Sequence, residues 1–178
     1  MKGKIELLLG GVGGQGILTI GTLLGEAALQ EGLCACLSSS YGTEARGTFT
    51  RSDLILSEDP IDFLEVTAPD FVLCLAQTAW DRLLPALCPG GEILYDNDHV
   101  TAKDFAGISS KGYPVTSMAL EMGYPRGANL IALGILVKRT GAVSPESVRT
   151  VIAKKMASRS SGKKEALEAF TAGHSIAL

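Results

Sequence analysis

The feature that most constrains the fold is a glycine-rich turn placed between a short apolar run and a helix-like segment. Residues 5–9 are mostly apolar, which is typical of a strand buried on both faces of a parallel sheet. The sequence Gly-Gly-Val-Gly-Gly-Gln-Gly follows at positions 10–16, and apolar residues then recur at helical spacing up to Gln30. A strand, a glycine turn and a helix at the start of a chain predict an α/β domain.

The alternation of strands and helices continues along the chain. Strands are predicted at 33–37, 48–57, 71–76, 92–95 and 113–116, and helices at 16–30, 78–87, 129–139, 144–158 and 163–172. We expect residues 48–57 to form an outer strand and residues 96–111 to be an irregular connection. The pattern predicts a single domain over residues 1–178, a three-layer α/β/α Rossmann-like domain with a mostly parallel sheet.

Composition excludes several classes of protein. The 178 residues are 46% hydrophobic and 20% charged, which is not the composition of a disordered chain. The formal net charge of -3 does not favour binding to nucleic acid. No stretch approaches the ~20 apolar residues of a membrane span, and the N-terminus lacks the long apolar core of a signal peptide. We expect a cytoplasmic protein with no membrane or nucleic-acid partner.

The cysteines and histidines do not form a metal-binding pattern. Cys34, Cys36, Cys74 and Cys88 include no Cys-x-x-Cys pair and lie in apolar stretches, which favours reduced, buried thiols. The two histidines are far apart in the sequence. We therefore expect no metal site in this chain.

The glycine turn is the first candidate binding site, through Gly11, Gly13, Gly14, Gln15 and Gly16. Gly-x-Gly-x-x-Gly after a strand and before a helix can hold a pyrophosphate, as in NAD-binding domains. That motif also needs an acidic residue about 20 positions later, where this chain has three serines at positions 38–40. A tight structural turn and a site for another anion at the helix N-terminus remain as alternatives.

The loop after the second predicted strand is the second candidate, through Tyr41, Gly42, Glu44, Arg46 and Gly47. A guanidinium binds carboxylate or phosphate groups through a fixed fork of donors, and a neighbouring carboxylate can orient it. An ordinary solvated ion pair is the alternative. Loops that follow adjacent parallel strands lie at one edge of the sheet, so we expect this loop and the glycine turn to form one site.

No catalytic set is visible in the sequence. The chain has no nucleophile elbow, no Cys and His pairing at a usable spacing and no cluster of carboxylates. Asp96 and Asp98 flank a predicted strand end, where aspartates more often form turns than bind ligands. We expect no catalytic residue in this chain.

Together, three segments resemble the gamma subunit of the 2-oxoacid:ferredoxin oxidoreductases. They are the glycine turn at 10–16, the sequence Ser-Tyr-Gly-Thr-Glu-Ala-Arg-Gly at 40–47 and the sequence Ser-Glu-Asp-Pro-Ile at 57–61. The resemblance continues through the Pro-Gly-Gly turn at 89–91, Asn129 and the segment around Phe170. The loop at 41–47 is more similar to the 2-oxoglutarate and branched-chain members than to the pyruvate members, where two adjacent arginines are usual.

This resemblance implies an accessory subunit of a multi-subunit oxidoreductase. The family oxidatively decarboxylates a 2-oxo acid to acyl-CoA and reduces ferredoxin. Thiamine diphosphate, magnesium and iron–sulfur clusters are expected in the alpha and beta subunits and in a ferredoxin-like delta subunit where present. Coenzyme A is expected near the glycine turn of this chain. The alternative is a stand-alone nucleotide- or CoA-binding module without catalysis.

Overall fold

A computed structural model describes residues 3–41, 48–87, 90–103, 107–157 and 162–176. These residues form a six-stranded sheet flanked by helices. The strands are β1 Lys4–Val12, β2 Cys34–Tyr41, β3 Phe49–Ser57, β4 Phe71–Cys74, β5 Glu92–Asp96 and β6 Ser109–Tyr113. The helices are α1 Ile17–Gln30, α2 Gln77–Leu83, α3 Val115–Glu121, α4 Ala128–Thr140, α5 Pro145–Met156 and α6 Lys163–His174.

The sheet is mostly parallel, with the strand order β2-β3-β1-β4-β5-β6. The pairs β1 with β4, β4 with β5 and β5 with β6 are parallel, whereas β3 is antiparallel to both β1 and β2. Because β3 is antiparallel to both of its neighbours, β2 runs in the same direction as β1. The carboxyl ends of five strands therefore lie at one edge of the sheet, which we call the carboxyl edge.

Two hydrophobic clusters cover the two faces of the sheet. Successive side chains of β1 point to opposite faces, so Leu7 and Leu9 join one cluster and Leu8 joins the other. The first cluster holds α1, α4, α5 and α6, and the second is built around Trp80 of α2. This three-layer arrangement confirms the predicted fold class.

The position of β3 differs from the prediction of an outer strand. It lies inside the sheet between β1 and β2, and β2 is the outer strand. Only seven residues, 42–48, join β2 to β3. A parallel connection needs about a dozen residues or more, so a linker of this length forces antiparallel pairing.

Two other elements differ from the prediction. The predicted strand at 113–116 is wrong, because β6 ends at Tyr113 and α3 begins at Val115. Pro114 lies between them and has no N–H to donate to a neighbouring strand. The predicted helix at 78–87 ends as an α-helix at Leu83 and continues as a 3₁₀ turn. Pro85 lies in that turn and cannot donate an α-helical hydrogen bond. Among the described helices, none is long and apolar enough to cross a bilayer.

Candidate functional site

The glycine turn lies at the carboxyl edge, between the end of β1 and the start of α1. Gln15 N–H donates to the Val12 carbonyl over 3.1 Å, which closes the turn. Gly14 and Gly16 have φ angles of 98° and 75°. Residues other than glycine rarely adopt these left-handed backbone conformations, so the path of the turn depends on glycine at both positions.

The turn adjoins the point where the chain connections leave the sheet in opposite directions. From β1 the chain passes through α1 on one face, and from β4 it passes through α2 on the other face. β1 and β4 are neighbours, so their carboxyl ends flank a topological switch point. Ligands of open α/β sheets bind in the crevice at such a point.

The Gln15 side chain bridges the two strands at this switch point. Its Oε1 accepts the N–H of Val12 over 2.8 Å, and its Nε2 donates to the carbonyl of Leu75 over 2.7 Å. Leu75 N–H in turn donates to the Gly10 carbonyl over 2.9 Å. Gln15 thus fixes the turn relative to β4, and both ends of its amide are hydrogen-bonded to the backbone of this chain.

Two helices begin beside the glycine turn. Neither α1 nor α4 has a side-chain hydrogen bond capping its N-terminus. A Cβ added at Gly16 would clash with the side-chain amide of Asn129, so the start of α4 lies directly against the turn. The positive ends of two helix dipoles therefore approach one place, which favours an anion there. Sequence reasoning placed Asn129 at the start of a helix but did not include it among the site residues.

The second predicted loop belongs to the chain segment that joins β2 to β3. Tyr41 is the last residue of β2, and Gly42, Glu44, Arg46 and Gly47 lie outside the described residues. At the end of this loop, the Thr48 carbonyl accepts the N–H of Gly13 over 2.9 Å. The structure thus joins the glycine turn to the end of the loop.

The reason for this proximity differs from the one expected. The prediction assumed that β1 and β2 are adjacent parallel strands, and this assumption is wrong because β3 lies between them. β3 runs in the opposite direction, so its first residues lie at the carboxyl edge beside the turn. In the register of the β1–β3 pair, Val12 lies opposite Phe49. The antiparallel pairing of β3 with β1, rather than a parallel neighbour, brings Thr48 beside the glycine turn.

Two aspartates, Asp96 at the end of β5 and Asp98 just after it, hold the start of α3. Asp96 is 1% exposed, and its Oδ1 accepts the N–H groups of Val115 and Thr116 over 3.1 and 3.4 Å. Asp98 accepts from the N–H and the hydroxyl of Ser117 over 2.6 and 2.8 Å. Burial alone would raise the pKa of Asp98, but the Ser117 hydrogen bonds outweigh it and hold that pKa below its ordinary value. Both carboxylates thus bind the first turn of α3.

The cysteines lie in two different environments. Cys74 is fully buried in β4, and burial raises the pKa of its thiol to about 12. Cys34 and Cys36 are half-buried in β2, so the expectation of burial holds only in part for them. Cys88 lies outside the described residues. Within the described ranges, no three His, Cys, Asp or Glu side chains are grouped as metal ligands.

Comparison with known families identifies the group to which this fold and glycine turn belong. The sequence pattern of the pyruvate ferredoxin/flavodoxin oxidoreductase family matches residues 6–176. The chain belongs to this family. The resemblance predicted from the glycine turn and the 40–47 segment is therefore confirmed.

Similar proteins in this family include separate chains of nearly equal length. The 2-oxoglutarate synthase subunit KorC of Methanocaldococcus jannaschii is 36% identical over 99% of this chain and 96% of its own length. The gamma subunit of a keto/oxoacid ferredoxin oxidoreductase from Geobacter sulfurreducens is 31% identical, and its structure superposes with a TM-score of 0.83 over 96% of this chain and 94% of its own.

In other relatives, the matching region is part of a longer chain. The ketoisovalerate oxidoreductase subunit VorA of Methanothermobacter thermautotrophicus is 31% identical over 75% of this chain, but this region is only 28% of its length. The 2-oxoglutarate:ferredoxin oxidoreductase of Magnetococcus marinus, 22% identical, has the same fold with a TM-score of 0.90 over 98% of this chain and 31% of its own.

Proposed function

We propose that this chain is the gamma subunit of a 2-oxoacid:ferredoxin oxidoreductase complex. The complex oxidatively decarboxylates a 2-oxo acid, with 2-oxoglutarate as the substrate, to acyl-CoA and reduces ferredoxin. The observation that carries this proposal is the 36% identity, over almost the whole of both chains, to a 2-oxoglutarate synthase subunit. The 31% identity to a gamma subunit over nearly its full length also supports it.

The chemical cofactors belong to the partner subunits in this proposal. Thiamine diphosphate with magnesium supplies the decarboxylation chemistry, and iron–sulfur clusters carry electrons to ferredoxin. They reside in alpha and beta subunits and in a ferredoxin-like delta subunit. This chain contributes surfaces and donors rather than a reacting group.

The contribution of this chain is to hold coenzyme A at the glycine turn. Coenzyme A carries phosphate groups, and the N-termini of α1 and α4 meet beside Gly16 without side-chain caps. The Gly13 N–H donates a hydrogen bond to the Thr48 carbonyl, so this N–H fixes the start of β3 rather than binding the ligand. The site consists of Gly11, Gly13, Gly14, Gln15 and Gly16 with Tyr41, Gly42, Glu44, Arg46 and Gly47, and Arg46 is the cationic partner of a phosphate.

The first test identifies the proteins that bind this chain in its own host. The complex is purified through a tag on this chain under oxygen-free conditions, and bound thiamine diphosphate and iron are measured. Partner chains that carry both support the proposed function. A chain that elutes alone, without either, contradicts it.

The second test addresses the coenzyme A site in the intact complex. Arg46→Ala is expected to raise the apparent KM for coenzyme A while the complex stays assembled. Lys154→Ala, which removes one positive charge from an exposed position of α5, is the matched control and should leave KM unchanged. An unchanged KM in the Arg46→Ala complex contradicts the coenzyme A site.

A stand-alone binding module is the alternative supported by the same glycine turn. In that case, coenzyme A, NAD or FAD should raise the melting temperature of the isolated chain, because a ligand that binds only the native state stabilises it. If Gly13→Ala and Arg46→Ala change only assembly and no kinetic constant, the chain is a structural scaffold instead.

A further inference from the structure

Arg82 of α2 is held against an aromatic ring at the start of β3. Its guanidinium carbon lies 4.9 Å from the centroid of the Phe49 ring, which is a cation–π contact. A long, exposed side chain such as that of Arg82 samples many rotamers when nothing holds it. The Phe49 ring therefore keeps this positive charge in one place on the protein surface.

That place is close to the glycine turn. Phe49 lies opposite Val12, the last residue of β1 before the turn. A Cβ added at Gly10 would clash with Leu83, the residue after Arg82, so α2 lies directly over the end of β1. The Arg82 guanidinium thus lies at the carboxyl edge, on the opposite face of the sheet from α1 and α4.

The hydrogen-bond donors of this guanidinium are not used by the described part of the chain. No described residue forms an ion pair or a hydrogen bond with the Arg82 side chain. Arg51 of β3 differs, since its Nε and Nη2 donate to the two carboxylate oxygens of Asp53 over 2.5 and 2.6 Å. Asp81, the neighbour of Arg82, accepts from the amide of Gln77 over 3.0 Å. Arg82 thus offers a planar fork of N–H donors to a ligand.

Coenzyme A carries phosphate at two separate positions. Its diphosphate is the type of group that a glycine turn at a helix N-terminus binds, as in dinucleotide-binding domains. Its 3′-phosphate is attached to the ribose and needs donors of its own. In NADP-binding domains, an arginine near the glycine turn accommodates the 2′-phosphate of the ribose. Arg82 provides the same chemistry near the glycine turn of this chain.

We propose that Arg82 binds the 3′-phosphate of coenzyme A, while the glycine turn binds the diphosphate. The guanidinium fork donates to two phosphate oxygens. Its contact with Phe49 orients it before the ligand binds, which reduces the entropy lost on binding. Arg82 therefore determines the preference for coenzyme A over dephospho-coenzyme A, which lacks only this phosphate. This proposal rests on the proposed function, because it extends the coenzyme A site placed at the glycine turn.

The test compares two substrates in the assembled complex, purified through a tag on this chain. The ratio kcat/KM is measured for coenzyme A and for dephospho-coenzyme A, with 2-oxoglutarate as the oxo acid and ferredoxin reduction as the readout. The variants are Arg82→Ala, Arg82→Lys and the control Arg149→Ala. Arg149 also lies over an aromatic ring, 5.7 Å from the centroid of Phe170, but it belongs to α5 on the other face of the sheet. Bound thiamine diphosphate verifies that each variant complex is assembled.

We expect the wild-type kcat/KM to be about ten- to hundredfold higher for coenzyme A than for dephospho-coenzyme A, which is the usual effect of hydrogen bonds to a charged group. In Arg82→Ala this preference should fall below about threefold, because only the value for coenzyme A decreases. Arg82→Lys should retain part of the preference, since lysine keeps the charge but not the fork. Arg149→Ala should keep the full preference.

Each contrary result has a separate meaning. A wild-type complex that does not oxidise 2-oxoglutarate with coenzyme A overturns the proposed function and the role of Arg82 together. An active wild type without a preference for coenzyme A shows that the 3′-phosphate is not recognised, and it overturns the role of Arg82 alone. A preference that persists in Arg82→Ala assigns the phosphate to another residue and has the same consequence. If Arg82→Ala releases the thiamine-diphosphate subunit, the side chain contacts a partner instead, and the proposal is overturned.

Discussion

The side-chain amide of Gln15 donates to the carbonyl of Leu75 over 2.7 Å, which joins the glycine turn after β1 to the end of the neighbouring strand β4. The same side chain accepts the N–H of Val12, so one residue satisfies two backbone groups at the switch point of the sheet. The glycine turn is therefore positioned by tertiary hydrogen bonds as well as by its own backbone angles.

Removing this bridge should destabilise the protein. Gln15→Ala leaves the Val12 N–H and the Leu75 carbonyl without their partner, so the free energy of unfolding should fall by about 1–3 kcal/mol. Gln30→Ala, at the exposed end of α1, is the control and should change it by less than about 0.5 kcal/mol. Urea denaturation monitored by the fluorescence of Trp80 measures both. Equal midpoints for the two variants would show that the bridge adds no net stability.

The contact between Gly16 and Asn129 can be tested by a double-mutant cycle. Gly16→Ala should cost about 1–2 kcal/mol for its left-handed backbone, plus the clash of the new methyl group with the Asn129 amide. Gly14→Ala also has a positive φ but meets nothing within 4 Å, so it should cost less. Adding Asn129→Ala to Gly16→Ala should recover part of the loss. Strictly additive energies would contradict a direct contact.

Acid should weaken the hydrogen bonds that the Glu6 carboxylate accepts from the N–H groups of Thr67 and Ala68, in the segment between β3 and β4. Burial alone raises the pKa of Glu6, but hydrogen bonds from Lys4, Ala68 and Thr67 outweigh it and lower that pKa. The carboxylate therefore contributes its full stability above the ordinary glutamate pKa of about 4.3. This contribution is lost as the pH falls below that value and through the lower pKa of the folded state.

The measurement compares unfolding free energies of the wild type and Glu6→Gln between pH 7 and pH 3. At pH 7 the variant should be less stable by about 1–3 kcal/mol, and the difference should shrink as the pH falls. Glu121→Gln, at the exposed end of α3, should show no such trend. A difference that is constant over this range would mean that the Glu6 charge is not involved.

The cysteines should differ in their reaction with an alkylating agent. The pKa of Cys74 is raised to about 12 by burial, so its thiol stays protonated and inaccessible at pH 8. Cys34 and Cys36, which are half-buried, should be labelled faster in the folded protein. Peptide mass spectrometry after timed labelling checks this order, with guanidinium-unfolded protein as the reference for complete labelling. Labelling of Cys74 at the rate of Cys34 would contradict the buried thiol.

Local patterns in the sequence were sufficient to predict most of the elements. The apolar run before the glycine turn and the helical spacing up to Gln30 correctly predicted β1 and α1. These signals are local because propensity, periodicity and capping act over a few residues. The family resemblance was also carried by sequence alone, through the glycine turn and the 40–47 segment.

Relations between distant residues were decided by the tertiary structure. The position of β3 between β1 and β2 depends on pairing along the sheet, and α3 depends on the Asp96 carboxylate 19 residues before Val115. The placement of Asn129 against Gly16 also joins residues far apart in the chain. No local pattern records such contacts, because strand pairing and side-chain capping are fixed only when the core packs. The sequence determined the type of most elements, whereas their order in the sheet and the neighbours of the glycine turn depended on packing.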